Sequence, residues 1–243
     1  MRRIIAVRPP AMMSAMPPTR SPRDVLDEHL PDGEPLVVDV GCGDGSLVRH
    51  LARRGARAVG VEIGAEPLQR ARAHAPVGGE RYEQAGAQDL PLEDGVADVV
   101  VFANSLHHVP GELLDTALAE AARVLRPGGL LFVQEPIADG PYFDLLRPID
   151  DETAVRAAAE AALARAGRHG LRQEHRITFA YDVVHPDFAS FRDRVVLADA
   201  ERAEAFTGLE AELRERFEAT GEPTADGLRF RQPMRVDLLR RTG

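Results

Sequence analysis

The chain is 243 residues long, 44% hydrophobic and 28% charged, which suits one large α/β domain able to bury a sizeable core. Its formal charge of −9 argues against a general binder of nucleic acid or of an anionic membrane surface, because neither polyanion is drawn to an acidic surface. No apolar run approaches the roughly 18 residues of a membrane span, and all thirty basic residues are arginine, which excludes Schiff-base and lysine-base chemistry.

Residues 1–20, rich in arginine and proline and without an acidic side chain, are expected to form a disordered tail. They lack the apolar stretch of a signal peptide, and Met12, Met13 and Met16 are candidate alternative starts. From about 21 to 168 strand and helix patterns alternate, which predicts a parallel sheet with helices on both faces. Ser21-Pro22 opens a short helix over 21–31. The apolar run 36–40 reads as a buried strand, followed by a glycine loop and a helix through Arg54. Residues 58–62 are the second strand, 66–75 its helix and 81–84 a short third strand. The β-branched run 97–103 is predicted to be a central strand. Pro110 opens a helix with Leu113, Leu114, Ala117, Leu118, Ala121, Val124 and Leu125 on one stripe; Pro127-Gly128-Gly129 stops it, and 130–134 is a fifth strand. Asp150-Asp151-Glu152 place negative charge at the start of an Ala-rich helix reaching about Ala166. Residues 175–184 and 228–240 read as strands. The long insertion between them carries a helix near 199–219, with Phe206, Leu209, Leu213 and Phe217 on its apolar face.

The motif VVDVGCGDGSL at 37–47 carries the chemistry. A dinucleotide fingerprint has glycines at its first, third and sixth positions; here Gly41, Gly43 and Gly45 stand first, third and fifth, and Ser46 takes the sixth. Glu62 ends the second strand, where a carboxylate can accept both ribose hydroxyls of an adenosine. Cys42, the single cysteine, has no partner for an internal disulfide; no Cys/His spacing resembles a zinc site, and a reducing, cytoplasmic setting is expected.

In series, VVDVGCGDGSL, VGVEIG, AGAQDLPLEDGVADVVVFANSLHHV and ARVLRPGGLLFVQEP resemble the class I S-adenosylmethionine-dependent methyltransferases, in particular the small-molecule branch that includes the ubiquinone-biosynthesis type, over about 36–136. The resemblance implies a Rossmann-like, doubly wound, mostly parallel seven-stranded sheet in the order 3-2-1-4-5-7-6, with a helical insertion between the last two strands acting as a lid. It implies a single domain over 21–243, with a cofactor-binding half at about 36–136 and substrate and lid elements at about 137–227. S-adenosyl-L-methionine would be the cofactor and S-adenosyl-L-homocysteine the product. Asp39, Gly41, Gly43 and Gly45 would hold the methionine part, with Cys42 as a small packed residue of the same loop. Glu62 would hold the ribose, Ile63 would pack on the adenine face, Ala87 and Gln88 would meet the adenine edge, and Asn104 would lie near the methionine amino group. Members often carry an aspartate where this chain has Gly86. Asp98 is expected to be structural.

Methyl transfer from a sulfonium needs mainly proximity and orientation, worth roughly 7–11 kcal/mol. A base is required only where the acceptor loses a proton, and His107 or His108 is the candidate, His108 the stronger. Being adjacent, the two are expected to point different ways. No metal is expected, since Asn104-Ser105 stand where magnesium-dependent members carry carboxylates. Glu135, Tyr142, Phe143, Phe179, Tyr181, Phe188 and Phe191 are candidate pocket or lid residues for a small, apolar or aromatic acceptor, methylated at O, N or C. His175 and His185 are expected at the surface. An NAD-dependent dehydrogenase and a non-catalytic cofactor-binding partner protein are the rival readings. The sequence leaves monomer and homodimer open.

Overall fold

A computed structural model describes residues 17–243 apart from residue 199 and the side chains of 197–202. The predicted tail therefore lies outside the described residues up to residue 16. Its last part does not behave as a tail: Thr19 forms a parallel bridge with Ala180, whose N–H donates to the Pro18 carbonyl at 2.9 Å.

Eight strands make one sheet: β1 (Leu36–Val40), β2 (Arg57–Glu62), β3 (Arg81–Gln84), β4 (Ala97–Ala103), β5 (Leu125–Pro136), β6 (Leu171–His185), β7 (Glu222–Thr224) and β8 (Gly227–Arg241). The order is β3-β2-β1-β4-β5-β8-β6, with β7 paired to β8 off that path. β1 to β5 run parallel, and β8 runs antiparallel to both β5 and β6. The expected order of seven main strands holds, and β7 is the eighth. It closes a tight hairpin in which Thr224 faces Gly227, and Asp226-Gly227 is the hairpin signal that went unread in the sequence.

Side chains alternate across the parallel strands, so each face of the sheet has its own core. Val38, Val100 and Leu131 face α4 (Leu114–Val124) and α6 (Thr153–Leu163). Val37, Val99 and Phe132 face α1 (Pro22–Asp27) and α2 (Ser46–Arg53). The helix after β2 is α3 (Ala65–Ala73).

Several boundaries depart from expectation for local reasons. Leu125 leaves the α4 stripe and begins β5, with ψ at 138°. Pro127-Gly128-Gly129 therefore does not stop the helix; it bulges out of β5, between the pairs Ala97–Leu125 and Val99–Leu130. Proline has no N–H to give a ladder, and Gly128 takes φ +74°, so a bulge suits both. α5 (Pro141–Leu146) was not anticipated; Pro141 sits in its first turn after Gly140 at φ +91°. The Ala-rich helix α6 ends at Leu163, before a separate turn at Ala166–His169.

The insertion holds two helices where one was expected, α7 (Phe188–Ala198) and α8 (Ala200–Thr220). They close a third core of Phe188, Phe191, Phe206, Phe217 and Phe230 with Leu145 from α5. His185 belongs to this core, not to the surface: it is 2% exposed, with its ring centroid 5.4 Å from that of Phe191 and 5.8 Å from that of Tyr142. Its Nε2 has no hydrogen-bond partner among the described residues. Burial, and then the charge of Arg194, lower its pKa to about 4 from 6.5. Between those values the unfolded chain takes a proton that the folded chain refuses, so this stability is complete above about pH 6.5 and drains away as pH falls toward 4. Urea unfolding at pH 7 and pH 4.5 is expected to show a loss on the order of 2 kcal/mol more in the wild type than in His185→Phe.

Candidate functional site

The site is built where β1, β2 and β4 end side by side. Gly41 N–H and Cys42 N–H both donate to the Val61 carbonyl, at 2.8 and 3.1 Å, which ties the glycine loop to β2. Gly41, Gly43 and Gly45 all take positive φ, at 76°, 55° and 75°. At two of them space also forbids a side chain: a Cβ on Gly41 would lie 2.5 Å from Ser105 Cβ, and one on Gly45 would lie 2.6 Å from the Tyr82 ring. Ser105 in turn donates its hydroxyl to the Val40 carbonyl at 2.6 Å, fixing the β4 end to the β1 end. Cys42 is buried with its thiol pushed far up by burial, Asp39 and Glu62, so it packs and has no nucleophilic character. Asp39 is 2% exposed, and burial together with the Glu62 charge lifts its pKa to about 7.

Glu62 accepts hydrogen bonds from Gly43 N–H at 2.9 Å and Gly64 N–H at 2.7 Å, one on each oxygen. Beside it Ile63 is 68% exposed, an open apolar face at the rim of the loop. A Cβ on Gly86 would run into the carboxamide of Gln88, so Gln88 fills the space beside Gly86; Ala87 is half-buried next to it. Asp98 accepts from Leu36 N–H and Arg126 at 2.8 and 2.6 Å, a structural clasp between β1 and β4. Asn104, just past β4, has φ +58°, the one non-glycine residue with positive φ among the described residues. Such backbone strain collects at functional sites.

Two cavities adjoin. The smaller, about 250 Å³, is lined by Asp39, Gly41, Cys42, Ser46 and Gln134. The larger, about 680 Å³, is lined by His107, His108, Tyr142, Tyr181 and Met234. Pro22, Arg23 and Asn104 border both.

Of the seven candidate pocket or lid residues, Tyr142 and Tyr181 line the larger cavity, whereas Glu135 and Phe179 do not. Glu135 is buried behind it, and Phe179 is fully buried in the α1/α2 core, paired across the sheet with Met234. Phe143 lines the cavity, while Phe188 and Phe191 pack inside the lid core. Glu135 accepts from Leu106 N–H at 2.9 Å with one oxygen and from His107 Nδ1 with the other. His107 Nε2 lies 3.7 Å from Glu152 Oε1. Burial alone would lower the His107 pKa, but the two carboxylates outweigh it and hold it at about 9. Burial acts to raise Glu152, yet His107 and Arg156 bring it down to about 2. The rings of His107 and His108 are 4.1 Å apart between centroids, so these neighbours share one place instead of pointing apart. Glu152 at the N-cap of α6, Arg156 on α6 and Arg23 on α1 were missed as site residues. Their distance in sequence from the loop leaves no local signal, and only the fold brings them in.

The fold is a Rossmann-like α/β sheet with a glycine loop at the end of its first strand. Residues 38–133 match the family model described as a methyltransferase domain. The ubiquinone biosynthesis O-methyltransferase of Sodalis glossinidius is 38% identical over 99 residues, covering 40% of this chain and 39% of that protein. The chain thus spans about two fifths of the length of the curated relatives it matches. The YcgJ protein of Bacillus subtilis superposes with a TM-score of 0.61 at 19% identity, over 91% of this chain and 97% of that one. The cyclase SpnF also superposes with a TM-score of 0.61, at 21% identity, over 90% of this chain and 80% of that one. The last two likenesses concern the fold alone. Among the described residues no helix is long and apolar enough to cross a membrane.

Proposed function

We propose that the protein transfers the methyl group of S-adenosylmethionine to an oxygen of a small, partly apolar acceptor and releases S-adenosylhomocysteine. The observation that carries this is the meeting of the two cavities at Asn104, which sets a cofactor space directly against an acceptor space. The residues present fit the cofactor: a loop with no room for side chains at Gly41 and Gly45, a fixed carboxylate at Glu62 and an open apolar face at Ile63. Asp39, Gly41, Gly43, Gly45 and Cys42 would surround the methionine part, Glu62 the ribose, Ile63, Ala87 and Gln88 the adenine, and Asn104 the amino group. When bound, the cofactor supplies an electrophilic methyl whose leaving group is already charged. The chain's own work is then orientation. Tyr142, Tyr181 and Met234 wall the acceptor space, and α7, packed on the third core, adds Arg194 and Val195 to the same wall. His107 is committed to Glu135 and Glu152, so His108, on the cavity side, is the side chain placed to take an acceptor proton. The oxygen acceptor follows the relatives' O-methyltransferase names, which cover only the loop-bearing part of the chain.

The same reading takes a monomer or homodimer without a nucleic-acid partner, in keeping with the charge of −9, and a cytoplasmic setting, in keeping with a single cysteine that is buried. The test is S-adenosylhomocysteine formation from S-adenosylmethionine over a panel of hydroxylated aromatic and aliphatic acceptors. Turnover with at least one apolar hydroxyl compound is expected, with kcat reduced about 100-fold in His108→Ala. A preparation that binds the cofactor and turns over no acceptor would instead favour a non-catalytic role.

A further inference from the structure

We propose that the acceptor carries a carboxylate besides the oxygen that is methylated, and that Arg194 on α7 and Arg23 on α1 hold this carboxylate in the larger cavity. Both arginines line that cavity and both are exposed, so a bound molecule can reach them. Carboxylates close by in sequence are committed elsewhere. Asp193, next to Arg194, pairs with Arg192 at 2.8 Å. At the end of α1, Asp27 pairs with His50 and Arg54, and Glu28 with Arg20. Arg23 donates to Ser46 Oγ at 2.8 Å, and neither Arg23 nor Arg194 has a carboxylate partner among the described residues.

The charge of the wall points to a single negative charge on the ligand. Arg156 is paired with Glu152 at 2.5 Å, and His107 is held protonated between Glu135 and Glu152. Two cations and two carboxylates balance within that cluster. Among the other described residues of the wall, Arg23 and Arg194 stand against Asp150, two positive charges against one. One carboxylate neutralises the surplus, whereas a phosphate dianion would overshoot it beside Asp150 and Glu152. The planar guanidinium fork also matches a carboxylate in shape. Tyr142, Leu146, Tyr181, Val183 and Val195 give the same cavity apolar surface, and its volume of about 680 Å³ suits a small organic molecule. Arg23 borders both cavities, while Arg194 borders the larger one and not the cofactor space, so anchoring at Arg194 is separate from transfer at the junction. The ligand is therefore a hydroxylated carboxylic acid with an apolar body. That it is methylated rests on the methyl-transfer reading; that the cavity binds such an acid does not.

The test is calorimetric titration of the full-length protein, with and without S-adenosylhomocysteine. The ligands are para-hydroxyphenylacetate, para-hydroxycinnamate and omega-hydroxydecanoate, each beside its primary amide, and para-hydroxybenzylphosphonate as the dianionic counterpart of the first. At least one acid is expected to bind about 10-fold or more tightly than its amide. Arg194→Gln should remove most of that preference and leave the affinity of the amide unchanged, and Arg194→Lys should restore part of it. Arg23→Gln should reduce the preference as well. Arg192→Gln, whose guanidinium is paired with Asp193, should change nothing. Thermal melts verify that each variant is folded. S-adenosylhomocysteine binding, measured on the same samples, separates the two readings: retained with no acid preferred over its amide, it overturns this inference alone. Its loss with the acid preference intact would instead overturn the cofactor reading. An acid preference unmoved by both Arg194→Gln and Arg23→Gln in folded protein, or tighter binding of the phosphonate than of every acid, also overturns the proposal.

Discussion

Glu62→Ala should weaken S-adenosylhomocysteine binding by about 100-fold or more in a protein that still folds. A carboxylate offers about four lone-pair positions. Gly43 and Gly64 take one on each oxygen, which leaves capacity for the two hydroxyls of a ribose and fixes the group in place before the ligand arrives. Hydrogen bonds to a charged group contribute about 1.5–3 kcal/mol each, so losing two corresponds to at least two decades of affinity. The substitution also frees Gly43 from its anchor and loosens the loop. Calorimetric titration of wild type and variant reads the effect directly; a loss of less than about 3-fold would remove Glu62 from the ribose site.

Glu135→Leu should destabilise the fold by about 3–5 kcal/mol, the cost of taking one partner from a buried charged pair. Glu135 is 2% exposed and His107 is 4% exposed, so neither can turn to water. Leucine leaves the Leu106 N–H and the His107 ring without their acceptor, in the short turn (Leu106–His108) that follows β4. Glu135→Gln keeps an acceptor for one of the two donors and should cost less. Urea unfolding at pH 7 measures both variants. Equal stability of Glu135→Leu and wild type would mean that the Glu135–His107 contact holds nothing in place.

The strand–glycine loop–strand framework was legible because its information is local. The run Leu36–Val40, the three glycines and Glu62 lie in consecutive strand–loop–strand units, so their positions follow from the local pattern. β1, β3 and β4 occur where the residue pattern put them. The surroundings of the larger cavity were not legible in the same way. Glu135 reads as a polar residue at a strand end facing a pocket, but the pairing of β5 with β8 buries it, and it turns to His107 instead. Phe179 and Tyr181 alternate with Ala180 along β6 and share a face, yet Phe179 sits two pairs further along the strand in the α1/α2 core, and only Tyr181 reaches the cavity. His185 looked like a surface residue because nothing near it in sequence reveals that α7 and α8 fold back over it. Glu152 read as a helix-start charge, which it is, but its second contact, with His107, comes from a segment 45 positions earlier that no local pattern connects to it (152 − 107).

The most direct measurement is calorimetric titration of wild-type protein with S-adenosylhomocysteine and, separately, with NAD. The glycine spacing, with Ser46 in the place of a third fingerprint glycine, and the pinned Glu62 predict saturation of one site per chain by S-adenosylhomocysteine and no binding of NAD. Binding of NAD, or failure of a folded protein to bind S-adenosylhomocysteine, would contradict the account.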